Sequence, residues 1–291
     1  MKRMILFFCI DISSVLSAQP YLDIAKINYS YSPEPGFNNK TNPLKSNFFN
    51  IELNLPVELK KNGDAFLINP FFNDNQGKVA ATDFHVISQG LLLGFLKKNI
   101  FKSWDLLSGF AVRQNKETEK KLTSTWQYGG VILSTYRKNQ FLSLKIGLYY
   151  NKEFFGNYFI PLVGIDWQIN SKNNLFGVLP GSIAFEHKVN PKFYYGISFR
   201  ALTNSNRLQT IDSCFTGDCS GKNYLRIDDN QLGVYADSHL LKKIVLSAEA
   251  GYTILRRYRY GFKGKVLDNK TDYKNDNFYF RASLAYRLRF R

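Results

Sequence analysis

Three histidines, two cysteines in one loop and a set of aspartates are the residues whose types suit chemistry. His85, His187 and His239 invite comparison with the Ser–His pairs of lipid hydrolases, which need a polar group to orient the imidazole. Glu186 precedes His187, but neighbouring strand residues face opposite sides, so the two do not form an acid–base pair. No G-x-S-x-G and no H-E-x-x-H occurs, and the histidines read as isolated polar or rim residues. Cys214 and Cys219 lie in Asp212–Gly221, separated by Phe215, Thr216, Gly217 and Asp218. Once the chain is exported they form an even pair, and a disulfide stapling the loop is expected. The sharper alternative, a metal site, lacks further Cys or His nearby. Asp268, Asp272 and Asp276 lack the spacing and the glycine of a calcium loop. No cofactor, metal or catalytic residue is assigned.

The chemistry therefore rests with charges distributed on the elements that carry them. The chain has 291 residues, 39 Lys and Arg against 23 Asp and Glu, and 46 aromatic residues among Phe, Tyr and Trp. With 44% hydrophobic and 21% charged residues it reads as folded. A mean hydropathy of −0.27 and no long apolar run exclude a bundle of spanning helices. Lys2 and Arg3, the apolar Met4–Ile10 and the small residues before Ala18 read as a signal peptide cleaved after Ala18, although Asp11 interrupts the apolar part. Residues 19–291 then form a single domain.

The period of the hydrophobic pattern sets the class. Phe278, Phe280, Ala282, Leu284, Tyr286, Leu288 and Phe290 occupy alternate positions, with Arg281, Arg287 and Arg289 among the residues between them. A strand sends these two sets to opposite faces. The same period runs through Phe49–Leu59, Trp104–Arg113, Leu142–Tyr150, Phe159–Gln168, Phe193–Arg200 and Ile244–Ile254. These segments are about twice the length of ordinary soluble strands. Long strands, charges of both signs on the polar face and aromatic clusters at strand ends favour an outer-membrane barrel over a soluble sandwich. The clusters are Tyr149, Tyr150, Phe154, Phe155, Tyr158 and Phe159, and Tyr252, Tyr258, Tyr260 and Phe262. Short polar turns alternate with longer connections at Ser32–Ser46, Asn73–Thr82, Asn115–Lys121, Asn204–Gly221 and Arg257–Asn275. The expected fold is all-β, an antiparallel transmembrane β-barrel of 14 strands, or 12 if residues 174–188 form an incomplete hairpin.

Several motifs carry a resemblance: Pro161–Asp166 (PLVGID) leading to Trp167, Asn174–Gly181 (NLFGVLPG), Phe185–Lys188 (FEHK) and Asn190–Gly196 (NPKFYYG). With the barrel pattern they make the chain similar to the outer-membrane β-barrels of Bacteroidota grouped as a domain of unknown function. The resemblance implies fold and location, the bacterial outer membrane, and brings no catalytic residues. Phe290, penultimate on the last strand, resembles the terminal aromatic by which the barrel-assembly machinery recognises its substrates.

Arg113, Lys145, Arg200, Glu249, Arg281, Arg287 and Arg289 are the candidate lumen-lining residues, beside Glu52, Glu58, Asp105 and Asp166. An excess of arginine predicts a slightly anion-favouring pore for small solutes or lipids; the same charges paired across the lumen would plug it. The basic residues Arg256, Arg257, Arg259, Lys263 and Lys265 read as surface groups that meet lipopolysaccharide phosphates or stay solvated. Outer-membrane lipid and lipopolysaccharide are thus the expected partners, with a small solute in addition; nucleic acid is not, since no binding motif occurs. Three functions stay open: a passive pore or transporter, a plugged structural or surface-interaction barrel, and a barrel-embedded lipid hydrolase.

Overall fold

The computed structural model describes residues 20–33, 44–59, 63–79, 82–118, 125–208, 223–262, 265–266, 272–274 and 276–290. The signal segment, Cys214 and Cys219, Lys263 and Asp268 lie outside the described residues.

Alternating side chains build one antiparallel sheet that closes on itself. Its strands are β1 (Tyr21–Ser32), β2 (Leu44–Leu53), β3 (Leu55–Glu58), β4 (Ala65–Val79), β5 (Thr82–Phe101), β6 (Trp104–Glu117), β7 (Thr125–Arg137), β8 (Leu142–Glu153), β9 (Gly156–Gln168), β10 (Asn173–Leu179), β11 (Ser182–Asn190), β12 (Phe193–Leu208), β13 (Asn223–His239), β14 (Ile244–Phe262), the fragments β15 (Lys265–Val266) and β16 (Asp272–Lys274), and β17 (Phe278–Arg289). Each strand pairs with its neighbour in sequence, and β17 closes the ring on β1 from Tyr21↔Arg289 to Tyr31↔Phe280. β2 and β3 are two halves of one stave that pairs with β4, and β15 and β16 extend the hairpin above β14. The barrel therefore has fourteen staves. β10 and β11 are true wall strands, bonded to β9 and β12, but shorter than the others.

Apolar side chains face outward. Ile132 (57% exposed), Ile146 (61%), Val163 (62%) and Val234 (60%) mark a band that only a lipid surface covers. Aromatic pairs bound it on each side: Trp104 and Tyr136 (5.1 Å between rings) near the short turns, Tyr150 and Phe159 (4.8 Å) and Tyr252 and Phe278 (5.2 Å) toward the other end. Along β9 the outward Trp167 and Phe159 are eight residues apart, about 26 Å at the strand rise, which matches the apolar height of such barrels.

At the end where β17 terminates, the turns are tight. The side-chain oxygen of Asn139 accepts from the N–H groups of Phe141 and Leu142, Asn170 does the same for Lys172 and Asn173, and Asn190 for Lys192. Asparagine closes each turn because its side chain mimics a backbone acceptor. This end is the turn end, and the opposite one the loop end.

Several expectations change. Asn73–Val79, Asn204–Leu208 and Arg257–Phe262 are strand, not long connections: β4 and β5 stay paired up to Val79↔Thr82, β12 and β13 up to Leu208↔Asn223, and β13 and β14 up to Asn223↔Phe262. In β4 the ladder continues beyond the apolar band with Asn73, Asp74, Asn75 and Gln76, so the hydrophobic alternation vanishes while the strand persists. Tyr149 and Tyr158, expected in the girdle, share the inward face of β8 and β9 with Lys145 and Asp166. β14 also changes face midway. Leu255 adopts a left-handed φ of 57°, and Leu255 and Arg256 together stand opposite the single Asp229 in a β-bulge. Beyond it Tyr258 and Tyr260 point inward and are buried, instead of joining the aromatic girdle. Arg256, expected at the surface, is only 3% exposed for the same reason.

Candidate functional site: the lumen

All seven candidate lumen residues face inward, and each is held by a partner of opposite charge. At the turn end Arg289 makes a two-pronged bond to Glu186 (2.8 and 2.9 Å), whose side chain is wholly buried. Arg287 bridges Asp23 (2.6 Å) and Asp237 (2.5 Å). Its guanidinium lies 3.6 Å from the ring centre of Tyr21, and that of Arg289 3.7 Å from Tyr194. Nearby, Lys98 and Arg137 share Asp105 (3.1 and 3.2 Å), and Lys145 binds Asp166 (2.6 Å).

Midway along the barrel Glu249 is the hub. It accepts from both arms of Arg200 (2.5 and 2.8 Å), from Arg281 (3.2 Å), from the Tyr279 hydroxyl (2.6 Å) and from Ser198 (3.2 Å). Glycine makes room for this cluster: a Cβ on Gly233 would sit 2.3 Å from the Tyr279 hydroxyl, and one on Gly251 would sit 2.6 Å from its ring. Towards the loop end Arg113 reaches Glu153 (3.5 Å), Gln127 and Asn204 (2.9 Å). Glu153 also accepts from the Ser205 N–H (3.0 Å) and Gln127 (2.8 Å). Arg256 donates to Ser32 (2.7 Å), Ser46 (2.6 Å) and the Tyr258 hydroxyl (2.7 Å).

The arginine surplus is thus largely cancelled. Arg200 and Arg281 share one carboxylate while Arg287 has two, so these three arginines meet three acids. An anion preference has little uncompensated charge to rest on in this set. Glu153, Glu186, Asp23 and Asp237 were not legible as partners, because they are separated from their arginines by 40 to 264 residues.

The lumen is neither uniformly polar nor uniformly wide. At the loop end Phe84 and Val86 from β5 pack across the barrel onto Leu225 and Ile227 from β13 and Tyr258 and Tyr260 from β14, all buried. This apolar core closes part of the mouth. Below it lie two chambers of about 290 and 580 Å³, with Lys26, Glu52 and Arg200 lining both. The larger one, at the turn end, is amphipathic. Leu67, Leu96, Leu107 and Leu133 line it from β4 to β7, and the Lys98–Asp105 and Lys145–Asp166 pairs lie beside them on β5, β6, β8 and β9.

The histidines stay apart. His85 faces outward near the loop end, 3.0 Å from Asp74 and 3.1 Å from Gln76. His187 also faces outward and bonds Asn173 (2.7 Å), while Glu186 behind it faces the lumen. His239 ends β13 against Tyr194. Among the described residues no group of three His, Cys, Asp or Glu is arranged to hold a metal ion.

A family model described as "Domain of unknown function (DUF6268)" matches residues 85–287. A search of curated proteins found no match. Solved barrels of similar form include an outer membrane channel from Pseudomonas putida F1 (12% identity, 92% of this chain and 96% of that one, TM-score 0.46). The P. putida toluene transporter TodX is another (10%, 96% and 92%, 0.39), as is the outer membrane phospholipase of Salmonella typhi, a dimer with bound calcium (10%, 94% and 92%, 0.35). These likenesses are too loose to carry residue roles or substrates.

Proposed function

The chain belongs to the DUF6268 family, whose function is unknown, and we infer from its own wall and lumen that it is a passive outer-membrane transporter for small solutes or lipids. The observation that carries this reading is the amphipathic chamber of about 580 Å³ inside a barrel whose outer band is apolar. A barrel filled by its own side chains needs no such space. With short turns toward the periplasm, the loop end faces outward. Phe290, just past β17 and packed with Leu22, Leu96 and Leu288 against Ala65, would be the aromatic read by the assembly machinery. The basic groups of the loop end would meet lipopolysaccharide.

The rival, a plugged structural barrel, draws support from the apolar core at the loop end, since a hydrophobic constriction excludes water. Planar-bilayer conductance decides between them. The wild type is expected to pass small currents, and Phe84→Ala combined with Ile227→Ala is expected to raise single-channel conductance several-fold by thinning that core. No current from either protein would remove the reading as a water-filled pore. The hydrolase reading has a weaker basis, because the three histidines lie on separate parts of the barrel. Activity on phospholipid that falls when His85 becomes Ala would restore it.

A further inference from the structure

The barrel wall is incomplete between β9 and β12. β10 ends at Leu179 and β11 starts at Ser182, so β9 is paired on that side only from Val163 to Gln168, and β12 only up to Arg200. One more bond, from the Ala201 N–H to the Gly181 carbonyl (3.0 Å), ends the contact. Beyond it, Asn157–Leu162 of β9 and Ala201–Asn204 of β12 have no strand between them, and they meet through side chains, the Tyr158 hydroxyl donating to Thr203 Oγ1 (3.4 Å). The loop-end part of β12 comes against β6 across the lumen, where Asn204 accepts from Arg113 (2.9 Å). The β8–β9 turn clasps β12 above the gap. The Phe154 N–H donates to the Ser205 hydroxyl (2.8 Å), and Glu153 accepts from the Ser205 N–H (3.0 Å).

The gap is therefore framed: β9 and β12 at the sides, the Leu179–Ser182 turn below, and the Tyr158–Thr203 bond and the Ser205 clasp above. Its depth is set by Phe159, an outward girdle residue of β9, so it opens onto the outer half of the apolar band. Residues alternate in the direction of their backbone groups. Thr203, placed between Ala201 and Ser205, accordingly turns its N–H and carbonyl into the gap. A continuous wall would leave no such edge at this depth, because lipid cannot satisfy it. Pro161, which has no N–H, falls in this half of β9, the kind of edge position sheets reserve for proline. The inner rim is apolar. Ile160 and Leu162 share the inward face of β9 with Tyr158, and Leu202, 40% exposed, faces the lumen from β12.

We propose that this gap is a lateral window through which a small amphiphile with an apolar body passes between the lumen and the outer leaflet. The proposal deepens the transport reading and names its substrate class. The leucines of the chamber would hold the apolar body, and the paired charges beside them on the same stretch of wall would hold the polar end. The apolar core at the loop-end mouth makes the side route the accessible one for such a molecule.

Two measurements test it, both in a chain whose three cysteines are replaced by serine. In the first, Leu202→Cys carries a fluorophore in liposomes containing lipids with quenchers on the acyl chains. Quenching is expected, because acyl chains reach the window. An unquenched label, with Ile197→Cys quenched as the lipid-facing control, overturns the proposal whatever the protein transports. In the second, Leu162→Cys and Ala201→Cys are bridged by a cleavable bifunctional thiol reagent. Transfer of N-phenyl-1-naphthylamine into proteoliposomes is then expected to fall at least about tenfold, because lipid offers no second polar-lined path through the wall, and to recover when the bridge is cleaved. Potassium chloride conductance should persist in the bridged protein. Unchanged transfer in bridged protein refutes the lateral route while leaving transport intact. A wild type that neither conducts nor transfers refutes transport, and the Leu202 label still reports whether the window exists.

Discussion

Replacing Glu249 with alanine is expected to cost about 3–5 kcal/mol of folding free energy, since removing one partner leaves buried charges uncompensated. Glu249 serves Arg200, Arg281, Tyr279 and Ser198 together, and its side chain is only 5% exposed. Both guanidiniums would remain in a crowded lumen, with Tyr279 held over Gly233 and Gly251. Urea titration of the barrel refolded in liposomes, followed by tryptophan fluorescence, measures the loss. Glu249→Gln separates charge from space. It keeps the volume and some hydrogen bonding but leaves the two arginines without their carboxylate, so the reversal potential in a potassium chloride gradient should move toward chloride. If alanine costs less than about 1 kcal/mol, the level of a surface ion pair, the hub is not a cluster that holds the lumen together.

Ile146→Arg is expected to cost about 2–4 kcal/mol, the penalty for arginine on the lipid face near the midplane. Ile146 is 61% exposed and stands on β8 between the inward Lys145 and Gly147. Gln89→Arg also points outward but lies beside Gln114 in the polar part of β5 near the loop end, where the cost should fall to about 0–1 kcal/mol. The same titration compares the two. Equal costs at both depths would mean that no apolar slab surrounds the barrel.

The class of fold and the direction of most side chains could be read from the two-residue period. Along β17 Phe278, Phe280, Leu284 and Tyr286 are exposed while Tyr279, Ser283 and Arg287 are buried, as alternation requires. What alternation could not reveal was a change of phase. The bulge at Leu255 costs one residue and moves Tyr258 and Tyr260 from the girdle to the loop-end core. Nothing in Ile254–Tyr260 distinguishes the two placements, since tyrosine suits either. Nor could strand length be judged where polar residues continue the ladder, as in Asn73–Lys78. The candidate lumen residues were identifiable because each lies opposite an apolar row. Their partners were not, since which strands face each other across a barrel depends on its closure and flattening. The PLVGID and NLFGVLPG segments stood out in the sequence; the first lies on β9 and the second is the short β10 strand paired with it beneath the gap. Their composition alone gave no sign that the wall stops there.

The most direct test of the whole account is a cysteine scan from Phe278 to Arg287 in a cysteine-free chain. A polarity-sensitive fluorophore at each position is read in liposomes with quenchers on the acyl chains. Quenching at 278, 280, 282, 284 and 286, with little at the positions between them, is the expected result. Uniform quenching, none at all, or strong quenching at the arginine positions would show that the apolar row does not face lipid.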